Sequence, residues 1–392
     1  MKSVYIYDGK RSPMGSFQGQ LNLLSGFEIM SHVLSGLHQK SQPDYVILGN
    51  VLSAGQGQSP ARQAVRTGIP QADNIPSTNI NKVCGSGMFA LTTACALIQT
   101  GMFNVITAGG FESMSQAPYL LPKARNGLRM GHGKIIDHML FDGLEDAYEE
   151  ASNGTRRSMG IFADQTAQEY QFSRLDQEEF AKQGIENYLL NKELLQSEIH
   201  TLQIMDHKKN TIEITFDEPP LRVKPEKFSA LRPAFNPSGT VTAATSSSIA
   251  DGANALILGT EEMQIRLNCK PIAKIVGSSS HAQSPETFTT APVGAIQKLL
   301  QQLNWEVSDV DLFEVNEAFA IVPMAVMKDL NIERNRMNVL SGACTLGHPI
   351  GSSGSRIVLT LITALRHRGL KRGIASVCIG GGEAMAMAIE IV

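Results

Sequence analysis

Short apolar runs alternate along this chain with longer segments that have a helical pattern of apolar and small residues. The helical segments include SGMFALTTACALIQTG and GSSGSRIVLTLITALRHRG, and the apolar runs begin at Tyr45, Asn104, Ala253 and Ala375. This alternation is typical of α/β proteins, and the runs are apolar enough to be strands covered on both faces. We therefore predict an α/β core in which sheets lie between helices.

The middle of the chain has a different pattern. From about Tyr119 to Ile249 it is richer in charged residues and in irregular segments. It also contains an amphipathic helix that begins SRLDQEEF, where Ser173 and Asp176 resemble a capping box. We interpret this part as a lobe inserted into the core or appended to it.

A weak repeat of about half the chain relates two of its motifs. Cys84 is followed by GSG, a helix of small residues, the strand NVITA and two glycines. His348 is followed by PIGSSG, a similar helix, the strand ASVCI and three glycines, 380–382. If the two halves face each other, Cys84, His348 and Cys378 meet in one pocket.

Composition and charge restrict the class of protein. The 392 residues, 42% apolar and 18% charged, suffice for two or three packed lobes. A formal net charge of −3 provides no basic surface for nucleic acid, so any site for an anion must be local. The start MKSVYIYDGKRSP has no apolar signal segment, and no run of about eighteen apolar residues suggests a membrane span. We expect a cytoplasmic protein.

The cysteines do not form a framework. Cys84, Cys95, Cys269, Cys344 and Cys378 are odd in number, scattered and without a CxxC pair. Neither disulfides nor a zinc site is indicated, and GSSG is not followed by the GK[ST] of a phosphate loop. We expect reduced thiols and no metal or organic cofactor.

The segment NKVCGSGM distinguishes Cys84 from an ordinary buried cysteine. A cysteine at a glycine-rich turn into a helix lies where backbone N–H groups and the helix dipole favour the thiolate. The neighbouring glycines let a substrate approach the backbone, which is how an oxyanion hole is built. Cys84 is therefore a candidate nucleophile.

Two further elements complete the candidate chemistry. His348 lies between a glycine and a proline in GACTLGHPIGSSG, in a turn rather than on a helix face. A lone histidine is more often structural, but this turn is the counterpart of the cysteine turn in the half-chain repeat. The three glycines after Cys378 would end a buried strand at some cost in stability, which suggests close approach by a ligand.

Six motifs occur along the chain in the order NKVCGSGM, GGFESMSQAPY, LRPAF, NEAFA, GHPIGSSGSR and CIGGG. In this order they resemble the thiolase family, and the resemblance covers essentially the whole chain. It implies two mixed five-stranded sheets, each from a βαβαβαββ half, in a five-layered α-β-α-β-α core with an inserted CoA-binding loop domain. On this basis we assign residues 1–118 with 250–270 to the first half, 119–249 to the loop domain and 271–392 to the second half.

The resemblance also implies catalytic roles. Cys84 would accept the acyl group, and His348 would take its proton and then help to hold the substrate oxygen. Cys378 would move the proton of the acetyl-CoA α-carbon. Asn316 would position a water that forms one oxyanion hole with His348, and the N–H groups of Cys84 and Gly380 would form the other. Two thiols and two holes suit a Claisen condensation, because charge develops first on an acyl centre and then on an enolate.

CoA recognition follows the family pattern less closely. Ser247, Ala243 and Phe235 match residues of the pantetheine tunnel, although the usual TAGNAS reads TAATSS here, with Thr245. The usual HMG reads Ser158-Met159-Gly160, so a histidine contact is missing. Arg222 would bind the nucleotide, or it is a solvated loop arginine.

The acyl pocket also departs from the family. Phe288 replaces the methionine usual in the short-chain branch, whereas Met159 is retained. Glu383 stands where a small or apolar residue is usual, and it would either face solvent or raise the pKa of Cys378. The segment RNGLRMGHGKIIDHML resembles a tetramerisation loop, so we expect a homotetramer.

The resemblance implies an acetyl-CoA C-acetyltransferase that acts on acetyl-CoA, acetoacetyl-CoA and CoA. Three alternatives stay open at this point. They are a 3-ketoacyl-CoA thiolase of broader chain length, a decarboxylating ketoacyl synthase, and a catalytically silent CoA-binding protein of the same fold. CIGGG and NEAFA argue against the synthase, because a decarboxylating reaction needs no second acid/base cysteine.

Overall fold

The first half of the core follows the predicted order of strands and helices. The computed structural model describes residues 2–39, 41–150, 156–205 and 208–392. The first elements are β1 (Val4–Arg11), β2 (Gly15–Ser16), α1 (Gly26–Leu37), β3 (Tyr45–Gly49), α2 (Pro60–Gly68), β4 (Ser77–Ile80), α3 (Ser86–Gln99) and β5 (Val105–Ser113).

The predicted lobe is an insertion between two core strands. It contains β6 (Tyr119–Leu120), β7 (Ile136–Asp137), β8 (Glu145–Glu150), β9 (Arg156–Ser158), α4 (Met159–Glu169), α5 (Arg174–Gln196), β10 (Leu202–Met205), β11 (Thr211–Ile214) and α6 (Pro219–Arg222). Its strands pair only with one another, as β6–β7, β8–β9 and β10–β11. The predicted capping box is confirmed, because the Ser173 N–H donates to the Asp176 carboxylate (2.8 Å) and Ser173 Oγ accepts from the Asp176 N–H (3.2 Å).

The chain then completes the first half and builds the second. The remaining elements are β12 (Ala250–Gly259), α7 (Gln264–Leu267), β13 (Ala273–Ala282), α8 (Ala291–Leu303), β14 (Leu312–Val315), α9 (Ile321–Leu330), α10 (Ala343–Leu346), α11 (Ile350–Arg368), β15 (Arg372–Ile379) and β16 (Glu383–Ile391). The first half thus runs βαβαβαββ, and the second repeats this order with a single bridge, Met337 to Phe313, in place of one strand.

The strands of the two halves form one continuous mixed sheet, with five main strands from the first half and four from the second, whereas two five-stranded sheets were expected. The strand order is β4-β3-β5-β12-β1 in the first half and β13-β16-β15-β14 in the second. β3–β4, β3–β5 and β14–β15 are parallel, and the other neighbours are antiparallel. β1 also pairs with β13, through Val4–Ile6 and Ala273–Ile275, so the two halves of the sheet are continuous at this point.

The five layers follow from which helices pack where. α3 and α11 pack against each other between the two halves of the sheet, α3 on β3 and β5, and α11 on β5 and β15. α1 and α2 cover the outer face of the first half of the sheet, and α8 and α9 cover that of the second half. No helix in the described ranges is long and apolar enough to cross a membrane. The proposed domain limits stay predictions, although β5 ends at Ser113 and β12 begins at Ala250.

The two central helices carry the candidate chemistry because each begins just after a motif residue. Cys84 lies two residues before α3, and His348 lies two residues before α11. Their crossing is close, since a Cβ at Gly354 would lie 2.7 Å from the Met88 nitrogen and 3.4 Å from the Cys84 carbonyl oxygen. The fold therefore brings the two motif turns together.

Candidate active site

Cys84 lies in a tight turn between β4 and α3. The preceding residue, Val83, is in the left-handed region (φ 47°), and the Gly85 N–H donates to the Lys82 carbonyl (3.0 Å). The N–H groups of Gly380 and of Cys84 itself donate toward the Cys84 sulfur. These are the two donors assigned to an oxyanion hole from the sequence, and they converge on one atom.

The expectation that this turn favours a thiolate is wrong for the resting site. Burial raises the pKa of Cys84 to about 11, the charge of Glu112 adds to the rise, and the two N–H donors oppose it only partly. Removal of water around the sulfur outweighs the local dipoles, because desolvation penalises the charged form. Cys84 is therefore a neutral thiol that needs a base when it attacks.

His348 has the properties of that base. Its Nδ1 lies 2.5 Å from Ser353 Oγ, and Ser353 Oγ donates to the Pro349 carbonyl (3.1 Å). Because the Ser353 proton is directed to Pro349, Nδ1–H is the donor to Ser353 and Nε2 keeps its lone pair. Nε2 is buried and has no hydrogen-bond partner among the described residues. Burial, with a smaller effect of Arg356, lowers the pKa of His348 to about 3.

The other two predicted side chains are fully buried in the second half. Cys378 lies one residue before the end of β15, and burial, with a contribution from the neighbouring Cys84, raises its pKa far above the usual value. The Asn316 N–H donates to the Ser376 carbonyl (2.9 Å). Both polar atoms of the Asn316 carboxamide lack a partner within the described part of the chain, so the amide is available to a ligand.

Three loops bring these residues together. The Ser247 N–H donates to the Ala318 carbonyl (3.0 Å), and the His348 N–H donates to the Ser248 carbonyl (2.9 Å). The Ala318 N–H in turn donates toward the Cys378 sulfur. The loops that carry Asn316, His348 and Ser247 are thus joined by backbone bonds, and the turn after β15, which carries Gly380, contacts the Cys84 turn.

A cavity of about 490 Å³ opens beside these loops. Most of its wall is apolar, and three exposed cations, Arg222, Lys224 and Lys227, stand in its lining. The other lining residues are Ser16, Phe17, Pro219, Val223, Phe228, Leu231, Ala243, Ala244, Ser248, Ile249 and Cys344. An apolar tunnel bordered by cations suits a long neutral arm with a phosphorylated end. Sequence reasoning missed both lysines, although the spacing RVKPEK could have indicated them.

The predicted CoA-contacting residues are only partly in this cavity. Ala243 and Arg222 line it, and Ser247 precedes the lining residue Ser248. Arg222 is exposed, ends α6 and forms an ion pair with Glu218. Phe235 is not in the lining. Its ring packs edge-on against Phe319 (5.7 Å between centroids), because the absence of a side chain at Gly160 leaves room for it there.

The acyl-pocket residues lie in and beside an aromatic cluster. Phe288 is buried, with its ring 6.5 Å from that of Phe319 and 6.4 Å from that of Phe162. Met159 packs against the same cluster and reaches Gly380, since a Cβ there would lie 3.5 Å from Met159 Cε. Met159 is therefore the side chain next to the Gly380 donor, and Phe288 supports it from behind.

Glu383 forms an ion pair with Lys82, two residues before the nucleophile, and its side chain is 39% exposed, so it lies partly in solvent, as one interpretation expects. Glu383 is not among the groups that raise the pKa of Cys378. Sequence reasoning missed this pair and also missed Ser353, because both depend on contacts that no local pattern reports. Among the described residues no group of three or more His, Cys, Asp and Glu side chains could hold a metal ion.

Comparison with known proteins agrees with this geometry. Residues 4–262 match the family model "Thiolase, N-terminal domain", and residues 269–391 match "Thiolase, C-terminal domain". A Dictyostelium discoideum protein described as "Probable acetyl-CoA acetyltransferase" is 41% identical over 401 residues, which is 100% of this chain and 94% of that protein.

Two solved structures have the same fold. The Bacillus anthracis acetyl-CoA acetyltransferase superposes with a TM-score of 0.94 at 35% identity, over 100% of this chain and 99% of that one. The Ascaris suum Acat5 thiolase in complex with coenzyme A gives 0.90 at 35% identity, with both chains covered completely.

The fold and these matches define an acyltransferase. The chain belongs to the thiolase family.

Proposed function

We propose that this thiolase is an acetyl-CoA C-acetyltransferase, which condenses two acetyl-CoA molecules to acetoacetyl-CoA and CoA and also runs in reverse. The observation that supports the proposal is that Cys84 neighbours a second thiol, Cys378, and two backbone donors, and that His348 precedes the helix packed on the Cys84 helix. A cavity of about 490 Å³ opens beside Ser248, whose carbonyl accepts from the His348 N–H. The names of the relatives above support the acetyl group, and the Ascaris complex supports CoA as the carrier.

The first half-reaction transfers an acetyl group to Cys84. His348 Nε2 takes the thiol proton while the sulfur attacks the thioester carbon, and the carbonyl oxygen becomes an oxyanion held by the N–H groups of Cys84 and Gly380. The bond from carbon to the CoA sulfur then breaks, and the CoA thiolate takes the proton from His348. A neutral imidazole suits this role because it can accept the proton and return it.

The second half-reaction forms the carbon–carbon bond. The Cys378 thiol first gives its proton to His348, and the resulting thiolate removes a proton from the methyl group of a second acetyl-CoA. The enolate oxygen is held by the protonated His348 and by a water positioned by Asn316. The enolate carbon attacks the acetyl carbon on Cys84, the carbon–sulfur bond breaks, and the Cys84 thiolate takes the proton from His348, which leaves Cys378 as the neutral thiol again. Thiolysis is the same sequence reversed, and the metabolite ratio sets the direction.

The pocket favours a short acyl group. Met159 occupies the space beside Gly380, and the buried ring of Phe288 lies behind it, so a longer acyl chain must displace packed side chains. This argues against the alternative of a 3-ketoacyl-CoA thiolase with broad chain length. The chain keeps Cys84, His348, Cys378 and Asn316 of the family motifs, which argues against a silent CoA-binding protein.

The proposed homotetramer is supported by exposed apolar side chains on the loop between β6 and β7. The chain between β6 and β7 leaves the domain with Met130 99% exposed and with Leu128 and Ile135 also exposed. Exposed apolar groups of this kind mark interaction surfaces. Light scattering should give four copies for the wild type and two for Met130→Glu with Ile135→Glu. A wild-type monomer or dimer would reject the tetramer.

The cytoplasmic location stays a prediction.

A thiolysis assay tests the function directly. Acetoacetyl-CoA and CoA are mixed with the enzyme, and loss of the magnesium–enolate absorbance is followed. We expect CoA-dependent loss with the wild type and with Cys95→Ala, and none with Cys84→Ala. Absence of turnover by the folded wild type, with cleavage of longer 3-ketoacyl-CoA instead, would establish the broader thiolase.

A further inference from the structure

Glu112 is a buried carboxylate whose neighbours are all hydrogen-bond donors. It lies one residue before the end of β5 and is fully buried. Its Oε1 accepts from Asn50 Nδ2 (2.7 Å) and the Leu52 N–H (3.0 Å), and its Oε2 accepts from the N–H groups of Val51 (3.0 Å) and Gly351 (2.9 Å). Burial raises the pKa of Glu112 to about 7, and the four donors oppose this rise, since they match the ionised carboxylate and a protonated one would turn its own hydrogen toward a donor.

These four donors come from the two sides of the candidate active site. Gly351 is in the first turn of the 19-residue helix α11, three residues after His348. Val51 and Leu52 follow β3 and pack with Ile350 and with Cys84 in one apolar cluster. Glu112 therefore joins the helix end that carries His348 to the segment that supports Cys84.

The backbone around this junction leaves little room for adjustment. A Cβ at Gly49 would lie 2.7 Å from the Gly351 carbonyl oxygen, and one at Gly110 would overlap the same oxygen. A Cβ at Gly351 would lie 2.9 Å from Glu112 Oε2. The strand ends and the first turn of α11 are in direct contact. Because this packing leaves no free space for a local adjustment, we expect loss of the carboxylate to move the end of the helix.

We propose that Glu112 is a positioning residue for acyl transfer, which holds the His348 end of α11 against the Cys84 turn at the spacing that proton transfer needs. The inference rests on the proposed function, because it assigns the His348-to-Cys84 proton transfer to the first half-reaction. Glu112 touches neither substrate nor thiol in this role and acts through Gly351 and the segment 50–52.

The charge of Glu112 gives a second readout. It raises the pKa of Cys84, so removal of the charge should make the thiol easier to ionise even while catalysis slows. The other titratable groups around the sulfur are Cys378 and His348, and Lys82 is ion-paired with Glu383. A residue that only stabilises the fold would not change these two measurements in opposite directions.

The test compares Glu112→Gln and Glu112→Asp with Asp251→Asn. Asp251 is a matched control, because it is also a buried carboxylate on a neighbouring strand, but it bonds Ser115 (2.9 Å to the N–H, 2.6 Å to Oγ) and not α11. Acetyl loading of Cys84 is timed by intact mass after an acetyl-CoA pulse. Alkylation of Cys84 by iodoacetamide is measured against pH on the same full-length proteins.

We expect Glu112→Gln to slow acetyl loading about 10- to 100-fold, as a displacement of about 1 Å can do. Its alkylation midpoint should fall below that of the wild type, and its KM for CoA should not change, because Glu112 is not one of the residues that line the cavity. Glu112→Asp keeps the negative charge on a shorter side chain, so acetyl loading should slow while the alkylation midpoint stays at the wild-type value. Asp251→Asn should load at the wild-type rate.

Two results would overturn the proposal. One is loading by both Glu112 variants at the wild-type rate. The other is a combined result, in which Asp251→Asn slows acetyl loading as much as Glu112→Gln does and Glu112→Gln leaves the alkylation midpoint unchanged. Glu112 would then only stabilise the fold. If Glu112→Gln does not fold, the milder Glu112→Asp decides alone by its loading rate. A wild type that takes no acetyl group would reject the proposed function, and the alkylation shift would still test the link from Glu112 to Cys84.

Discussion

Lys82 forms an ion pair with Glu383, 301 residues further along the chain. The pair connects the turn that contains Cys84 with the turn that contains Gly380. Lys82 belongs to the nucleophile turn, and Glu383 begins β16 directly after the glycines that carry the Gly380 donor. The pair therefore spans the two elements that supply the proposed oxyanion hole. This gives a physical account of a carboxylate that departs from the family pattern.

The ion pair should contribute modestly to the geometry of that hole. Lys82 is 24% and Glu383 is 39% exposed, so solvent screens the pair, and a coupling free energy of about 0.5 kcal/mol is expected. Glu383→Gln and Lys82→Gln should each lower kcat/KM a few-fold, and the double variant should lose less than the two losses combined. The double-mutant cycle is measured at low and at high salt. Strictly additive losses would show that the pair has no role in activity.

The sequence predicted those parts of the molecule that local patterns encode. The order of strands and helices follows from the alternation of apolar runs with helical segments and from the glycines that mark their ends. The Ser173 cap follows from residue types three positions apart. Cys84, His348, Cys378 and Asn316 were found because each lies in a motif with glycine, proline or a characteristic neighbour.

Features that depend on burial or on distant contacts could not be predicted in this way. The glycine-rich motif indicates the N–H donors near Cys84. The exclusion of water that raises the pKa of the Cys84 thiol arises only when both halves of the chain pack around it. The same holds for Glu112, whose partners lie as far away as Gly351. The contact between the rings of Phe235 and Phe319 likewise joins residues that lie far apart in the sequence.

Acid should destabilise the fold through buried histidines. His38 is buried between the Ser41 carbonyl and Thr107 Oγ1 (2.9 Å each), and burial lowers its pKa to about 4. An unfolded histidine has a pKa of about 6.5, so between these values the unfolded chain binds a proton that the folded chain does not. The stability that His38 contributes is therefore complete above about pH 6.5 and is lost as the pH falls toward 4.

The comparison with His38→Gln isolates this effect, because Glu112 and Asp251 have raised pKa values and titrate with the opposite sign in the same range. Between pH 7.5 and pH 5 the wild type should lose about 2 kcal/mol of unfolding free energy relative to the variant. Urea unfolding at both pH values measures it. A stability difference that does not depend on pH would mean that His38 is protonated in the folded state.

Chain length should be restricted by the side chains behind Gly380. We expect kcat/KM to fall sharply beyond about four or five acyl carbons, because one methylene in a tight pocket is worth roughly 1–3 kcal/mol. Met159→Ala should raise the ratio of six-carbon to four-carbon 3-ketoacyl-CoA about 10-fold, and Phe288→Leu should raise it less. Phe162→Leu, on the far side of the same cluster, is the packing control. Equal kcat/KM for four- and ten-carbon substrates in the wild type would remove this explanation.

Chelation should leave turnover unchanged. The proposed steps use two thiols, an imidazole and backbone donors, and none of them needs a Lewis acid. Enzyme treated with EDTA or 1,10-phenanthroline is assayed by CoA released during condensation, because the enolate absorbance itself needs magnesium. Loss of turnover that returns when one metal is added back would require a metal in the mechanism.

The two thiols should differ in the step that they support. Cys84→Ala removes the acyl acceptor, so a pulse of acetyl-CoA should add no mass to the protein. Cys378→Ala leaves Cys84, His348 and the two backbone donors in place, so the acetyl group should still load. The later proton transfer at the α-carbon then fails, and such acid/base help is typically worth about 10²- to 10⁴-fold.

Intact-mass spectrometry after a brief pulse distinguishes these outcomes, since acetylated protein should accumulate in Cys378→Ala and stay absent in Cys84→Ala. Cys95→Ala is the control, because Cys95 is buried on α3 in the main core and should behave as the wild type does. Acetylation of the Cys84 variant without acetylation of the Cys378 variant would reverse the two roles. Full turnover by both variants would mean that the chain does not use a thiolase mechanism, since no acyl-cysteine could then be an obligatory intermediate.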